Sequence, residues 1–276
     1  MNTELDMDAE VLPESREGKR AATLWRIYVG RALFALGCLA LWQWGHVLVG
    51  GDFVAAPLEV LHRIVEITRS GELLIHTLAT FQEAALGFLI GGSAGVLMPF
   101  LLRLSPRLTE ALDPFVAAGT GVPKLALAPL LILWFGIGLL SKVVFVASLV
   151  FFLLFFNTLA GVRSVDPQLE AMARVVGGGE WLLAREIVWH TALPFVFAGI
   201  KIAMPRAISA AVVGEFIAAD VGLGYYINNA RSLADTVGLF AGIVLVTVLV
   251  IVINVVLQRI QSHSLAWRPM DRELIV

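Results

Sequence analysis

The chain has 276 residues, 58% hydrophobic and only 15% charged, with a mean hydropathy of +0.84. A soluble domain carries about 25% charged residues, so this composition excludes an ordinary soluble domain and points to a polytopic membrane protein. The net charge of −2 offers no footprint for nucleic acid, and the single cysteine, Cys38, excludes a disulfide framework or a Cys-based metal site.

Residues 1–22 are polar, first acidic (Glu4, Asp6, Asp8, Glu10) and then basic (Arg16, Lys19, Arg20). They read as a disordered tail. The apolar run 27–49 is long enough to span a bilayer and lacks a small-residue cleavage site, so a retained signal-anchor helix is expected. Pro57 opens an amphipathic stretch with Leu58, Leu61, Ile64, Val65 and Thr68 on one face, expected to lie at the membrane interface. Further runs follow at about 74–102, up to about 135, at 139–159, 194–218 and 237–257. The predicted fold is therefore all-α, a polytopic membrane protein of six transmembrane helices. Its membrane domain covers 23–259, and a polar C-terminal tail covers 260–276.

Six spans put both termini on one side. If that side is the cytoplasm, thirteen Lys and Arg residues lie in cytoplasmic islands, against only Arg63, Arg69, Lys142 and Arg231 opposite. That bias satisfies the positive-inside rule and places the loop 161–193 in the cytoplasm. In this loop Asp166-Pro167 supplies an N-cap and a first-turn proline. Leu169, Met172, Ala173 and Val176 then form one apolar face, with Glu170 and Arg174 at i,i+4 beside it. Gly177-Gly178-Gly179 ends the helix. A second amphipathic helix is predicted from 180 to about 189, with Pro194 opening the fifth span.

With Gly177 and Leu193-Pro194 in place, this loop resembles the coupling (EAA) loop of ABC-importer permeases, the binding-protein-dependent transport inner-membrane components. The likeness is to the branch serving nitrate, sulfonates, taurine and thiamine-pyrimidine precursors. It departs at two points: the family's acidic position falls on Ala171, one residue after Glu170, and Trp189-His190 replaces a first Leu-Pro pair. The resemblance extends over about 50–269. It includes VPKLALAPLLILWFGIGLLSKVV (122–144), GLGYYINNAR (222–231) and the closing Ala266-Trp267-Arg268. Thr80-Phe81-Gln82-Glu83 and Val122-Pro123-Lys124 lean towards the pyrimidine-precursor or sulfonate group.

The resemblance implies a permease subunit of the bacterial inner membrane, with both termini cytoplasmic, working as a homodimer by alternating access. Two cytoplasmic ATPase subunits would dock through Gln168, Glu170, Ala171, Arg174, Gly177, Gly178, Trp181 and Pro194. A solute-binding protein would meet the outer face. ATP-Mg would belong to the partner ATPase, and no cofactor is expected in this chain.

Charges within a span are costly and are functional suspects. Lys124 follows Pro123, and Pro123 and Pro129 break the helix there. Lys124 either lines a path for an anionic or polar solute or pairs with a carboxylate such as Glu83. Arg206 is a second path candidate, and Glu215 a third that reads more simply as an acid at the outer interface. Lys201 reads as a snorkelling side chain. Gly222 and Gly224 allow a tight outer turn. The five histidines lack metal-ligand spacing, and no serine-hydrolase elbow or P-loop occurs, so no enzyme is indicated. An ion-coupled secondary carrier stands as the alternative.

Overall fold

The computed structural model describes residues 14–264, and the regular elements among them are all helical. Residues 1–13 and 265–276 lie outside the described residues. They hold most of both expected tails and the Ala266-Trp267-Arg268 stretch. The chain divides into two compact units, residues 1–60 and 61–276.

The first unit is dominated by α1 (Glu14–Val49), which starts inside the stretch expected to be a tail. Its Trp25–Val49 portion is long and apolar enough to cross a membrane, with Phe34, Leu41 and Val47 exposed as on a lipid-facing helix. Gly50 ends α1 in a left-handed conformation, its N–H donating to the His46 carbonyl at 2.9 Å. The chain then folds back on the helix end. Trp42 Nε1 donates to the Ala55 carbonyl at 3.0 Å, and the His46 ring Nδ1 lies 2.6 Å from the Val54 carbonyl. The boundary between the units falls within α2 (Pro57–Arg69).

In the second unit α3 (Glu72–Arg103), α6 (Leu139–Arg163) and α9 (Trp189–Ile217) pack together as the core. Ala84, Phe145, Val150, Leu154, Ala203, Ala207 and Ile208 fill it. Apolar side chains give helices in lipid little reason to associate, so close backbone approach must supply the attraction. Gly87, Gly91 and Gly95, four residues apart on α3, provide it: a Cβ at Gly91 would lie 2.2 Å from the Ala147 carbonyl oxygen of α6.

The run expected to form the third span is not one helix. α4 (Pro106–Gly121) stops where Val122 turns extended before Pro123. A 3₁₀ turn (Lys124–Leu127) and the short α5 (Ala128–Phe135) follow, with Pro129 in the first turn of α5, where a missing N–H is tolerated. Among the described residues, five helices are long and apolar enough to cross a membrane, and Lys124–Phe135 is a shorter apolar one. Beyond α9 come α10 (Leu223–Ser232) and α11 (Thr236–Ser264), which runs past the expected end of the membrane domain at 259.

Candidate functional site

Three places gather the residues singled out above. The first is the loop 161–193. The Asp166 carboxylate accepts the Gln168 N–H at 2.8 Å, and Pro167 opens α7 (Pro167–Val175). At the other end Gly177 takes φ +85°, and the Gly178 N–H reaches back to the Ala173 carbonyl at 2.8 Å. This is the left-handed stop that a Cβ would disfavour. The expected Glu170–Arg174 pair does not form. Glu170 instead accepts from Arg103 Nη1 at 2.9 Å, and Arg174 pairs with Glu180 at 2.7 Å. An exposed i,i+4 pair stabilises by only ~0.3–0.5 kcal/mol, so a half-buried partner on another helix readily outcompetes it. The Arg103 guanidinium, helped by Arg174, holds the Glu170 carboxyl below the ordinary carboxylate range against partial burial.

Beyond the glycines the structure departs from the predicted break at Pro194. A first turn, α8 (Glu180–Leu182), runs through a π-helical segment (Leu183–Val188) straight into α9. Glu180–Ile217 is one continuous helix with Pro194 inside it. The apolar side chains of the loop are left bare. Met172 is 67% exposed, Val175 88%, Val176 85% and Trp181 78%, and Gln168 and Ala171 are exposed beside them. Exposed apolar side chains gathered in so short a stretch are unusual on a surface that stays in water.

The second place is a cavity of about 410 Å³ on the α6–α9 side. Lys124 and Arg206, far apart in sequence, both line it, with Asn157 and the rings of Phe152 and Phe156. Lys124 does not pair with Glu83: its Nζ donates to the Gly119 carbonyl at 3.0 Å and sits 4.3 Å from the centre of the Phe152 ring. Among the described residues, the lining carries two cations and no carboxylate.

The third place is a buried polar cluster between α3, α6 and α9. Glu83 forms an ion pair with Lys142, whose side chain is 5% exposed. Lys142 was expected in an outer island. Glu215, two residues from the end of α9, is buried within the protein: it is 1% exposed, accepting from Thr80 Oγ1 at 2.7 Å and from the Gly224 N–H at 2.6 Å. Thr80 also accepts the Leu223 N–H at 2.8 Å, and His76 Nδ1 the Gly222 N–H at 3.1 Å. Gly222 has φ +122°, and a Cβ there would strike the Glu215 carboxyl at 2.2 Å. Sequence reasoning missed Lys142, Thr80 and His76. A lysine three residues into an apolar helix was the available signal for the first. Among the described residues no group of three or more His, Cys, Asp or Glu is placed to hold a metal ion.

Residues 87–265 match the family model described as "binding-protein-dependent transport system inner membrane component". This chain belongs to that family. A riboflavin transport system permease protein, RibX of Chloroflexus aurantiacus, is 36% identical over 94% of this chain and 98% of its own length. A putative aliphatic sulfonates transport permease protein, SsuC of Bacillus subtilis, is 33% identical over 83% of this chain and 84% of its own length. The fold matches a subunit of a bacterial alginate ABC transporter, solved with an alginate pentasaccharide-bound periplasmic protein. The TM-score is 0.60 at 15% identity, over 90% of this chain and 96% of that one. The chain is thus an inner-membrane permease subunit of an ABC importer and not itself an enzyme. The ion-coupled carrier alternative falls away.

Proposed function

We propose that this permease forms half of a translocation path in a homodimer, importing a small anionic solute of the sulfonate kind by alternating access. The single observation that carries the substrate class is the cavity where Lys124 and Arg206 converge, with no carboxylate among its described lining residues. A ring-borne cation and a guanidinium attract an anionic head group, and Phe152 and Phe156 suit an apolar or aromatic body. Glu83 and Glu215, buried within one subunit, serve packing rather than the path. The riboflavin permease among the relatives favours a second reading, a flat ring-bearing solute stacked on those same phenylalanines.

The positive-inside distribution supports cytoplasmic termini and a cytoplasmic loop 161–193. There Met172, Val175, Val176 and Trp181 offer the apolar surface on which an ATPase subunit would seat, with ATP-Mg held by that partner. A solute-binding protein would deliver cargo at the opposite face. ATP-driven closure of two ATPases would then rock the helices as rigid bodies and swap the opening of the cavity.

Tagged purification in mild detergent, with mass spectrometry of co-eluting chains, is expected to return an ATPase and a binding protein. A solitary oligomer after crosslinking would defeat the reading. In reconstituted vesicles Lys124→Met is expected to lose sulfonate uptake and Lys124→Arg to keep most of it. Wild-type uptake and selectivity in both would remove Lys124 from the path. Riboflavin uptake with no sulfonate uptake would select the second reading.

A further inference from the structure

α3 is gripped at both ends by side chains that the path does not use. At one end Arg103 Nη1 lies 2.9 Å from Glu170 Oε1, fastening α3 to α7. At ~1.5 Å per residue, the other end lies roughly 35 Å away. There Thr80 Oγ1 accepts the Leu223 N–H at 2.8 Å, and His76 Nδ1 accepts the Gly222 N–H at 3.1 Å. Between the two, Gly87, Gly91 and Gly95 press the α3 backbone against α6. Pro99 removes one backbone hydrogen bond between this contact and Arg103, yet α3 continues through it, so one unbroken helix joins the two grips.

We infer that α3 is a connecting rod: Arg103 and Thr80 are positioning residues that link displacement of α7 to the Gly222–Gly224 turn. The inference rests on the permease reading, since displacement of α7 needs an ATPase seated on it. Both grips are suited to transmission. The Arg103–Glu170 pair is half-buried, with side chains 18% and 23% exposed, so water screens it less than a surface pair. Thr80 is 0% exposed, and its hydroxyl bridges the Leu223 N–H to Glu215. The backbone donor at Leu223 has no water there to replace it.

The test reconstitutes the permease with its ATPase and binding protein in liposomes and reads uptake and ATP hydrolysis together. Arg103→Ala is expected to retain the ATPase while transport per ATP falls roughly three- to thirty-fold. Arg103→Lys, which keeps a cation for Glu170, is expected to retain most of the coupling, and because the ATPase stays bound in both variants the fall in transport per ATP is not a loss of assembly. Thr80→Val should show the same uncoupling and Thr80→Ser should not. The Arg103→Ala/Thr80→Val double variant should be no worse than the worse single one, because both cut the same link. If Thr80→Val does not assemble, Arg103→Ala and Arg103→Lys decide alone. Unchanged transport per ATP in Arg103→Ala, a loss in Arg103→Lys as large as in Arg103→Ala, or losses that multiply in the double variant would overturn the rod. A wild-type chain that retains no ATPase would instead overturn the permease reading.

Discussion

Glu83 and Lys142 lie 59 positions apart and meet with both side chains almost wholly buried. Removing one partner strands the other charge, so Glu83→Leu is expected to destabilise the detergent-solubilised protein by about 3–5 kcal/mol, read as a fall in Tm. Replacing both, Glu83→Leu with Lys142→Met, should recover most of that loss, because the penalty belongs to the orphaned charge. Glu170 behaves differently because it sits in the loop. Arg103 lowers its carboxyl in the folded state, so the contact contributes at every pH above the unfolded value of about 4.3. It is lost only as pH falls through the lowered folded value. Amide exchange in α7, corrected for its intrinsic pH dependence, is therefore expected to stay constant from about pH 8 to 5 and to quicken only in stronger acid. Quickening near neutrality would mean that Arg103 does not hold this carboxyl.

Among the elements, the helices of the loop were legible because their ends are written locally. Asp166-Pro167 begins α7 and Gly177 stops it, each through contacts within a few residues. The Pro123 break was legible for the same reason, whereas Pro129 sits in the first turn of α5 and breaks no helix. What was not legible depends on distant partners. Nothing near Glu170 tells it to choose Arg103 over Arg174, and nothing near Glu83 announces Lys142. The run at Pro194 misled because proline usually opens or breaks a helix, whereas here tertiary packing carries the helix through it. Gly177→Val tests the loop stop. No atom stands within 4 Å of the missing Cβ, so the cost is backbone strain of about 1–2 kcal/mol rather than collision. The variant should fold yet lose uptake or ATPase co-purification, and normal values for both would refute the role of the turn. Gly91→Leu tests the α3–α6 contact, where the collision is with backbone. It should abolish a monodisperse product, while Gly37→Leu on α1, with open space around it, should not.

For the molecule as a whole, the all-helical class followed from composition, and its membership of the permease family agrees with motifs spread from the third run to the last. The sequence did not reveal that two cations would share one cavity, because Lys124 and Arg206 meet only through the packing around α6 and α9. The unbroken helix from Glu180 to Ile217 has a further consequence. With no hinge between the loop and the core, Trp181 is locked in angular phase with the membrane helix behind it. The π segment at Leu183–Val188 amounts to one residue wound into that shaft beyond the α-helical count. Deleting a residue there would leave a well-formed α-helix but turn the Trp181 face by about 100° about its axis, and the apolar surface proposed to seat the ATPase would point the wrong way on an intact protein.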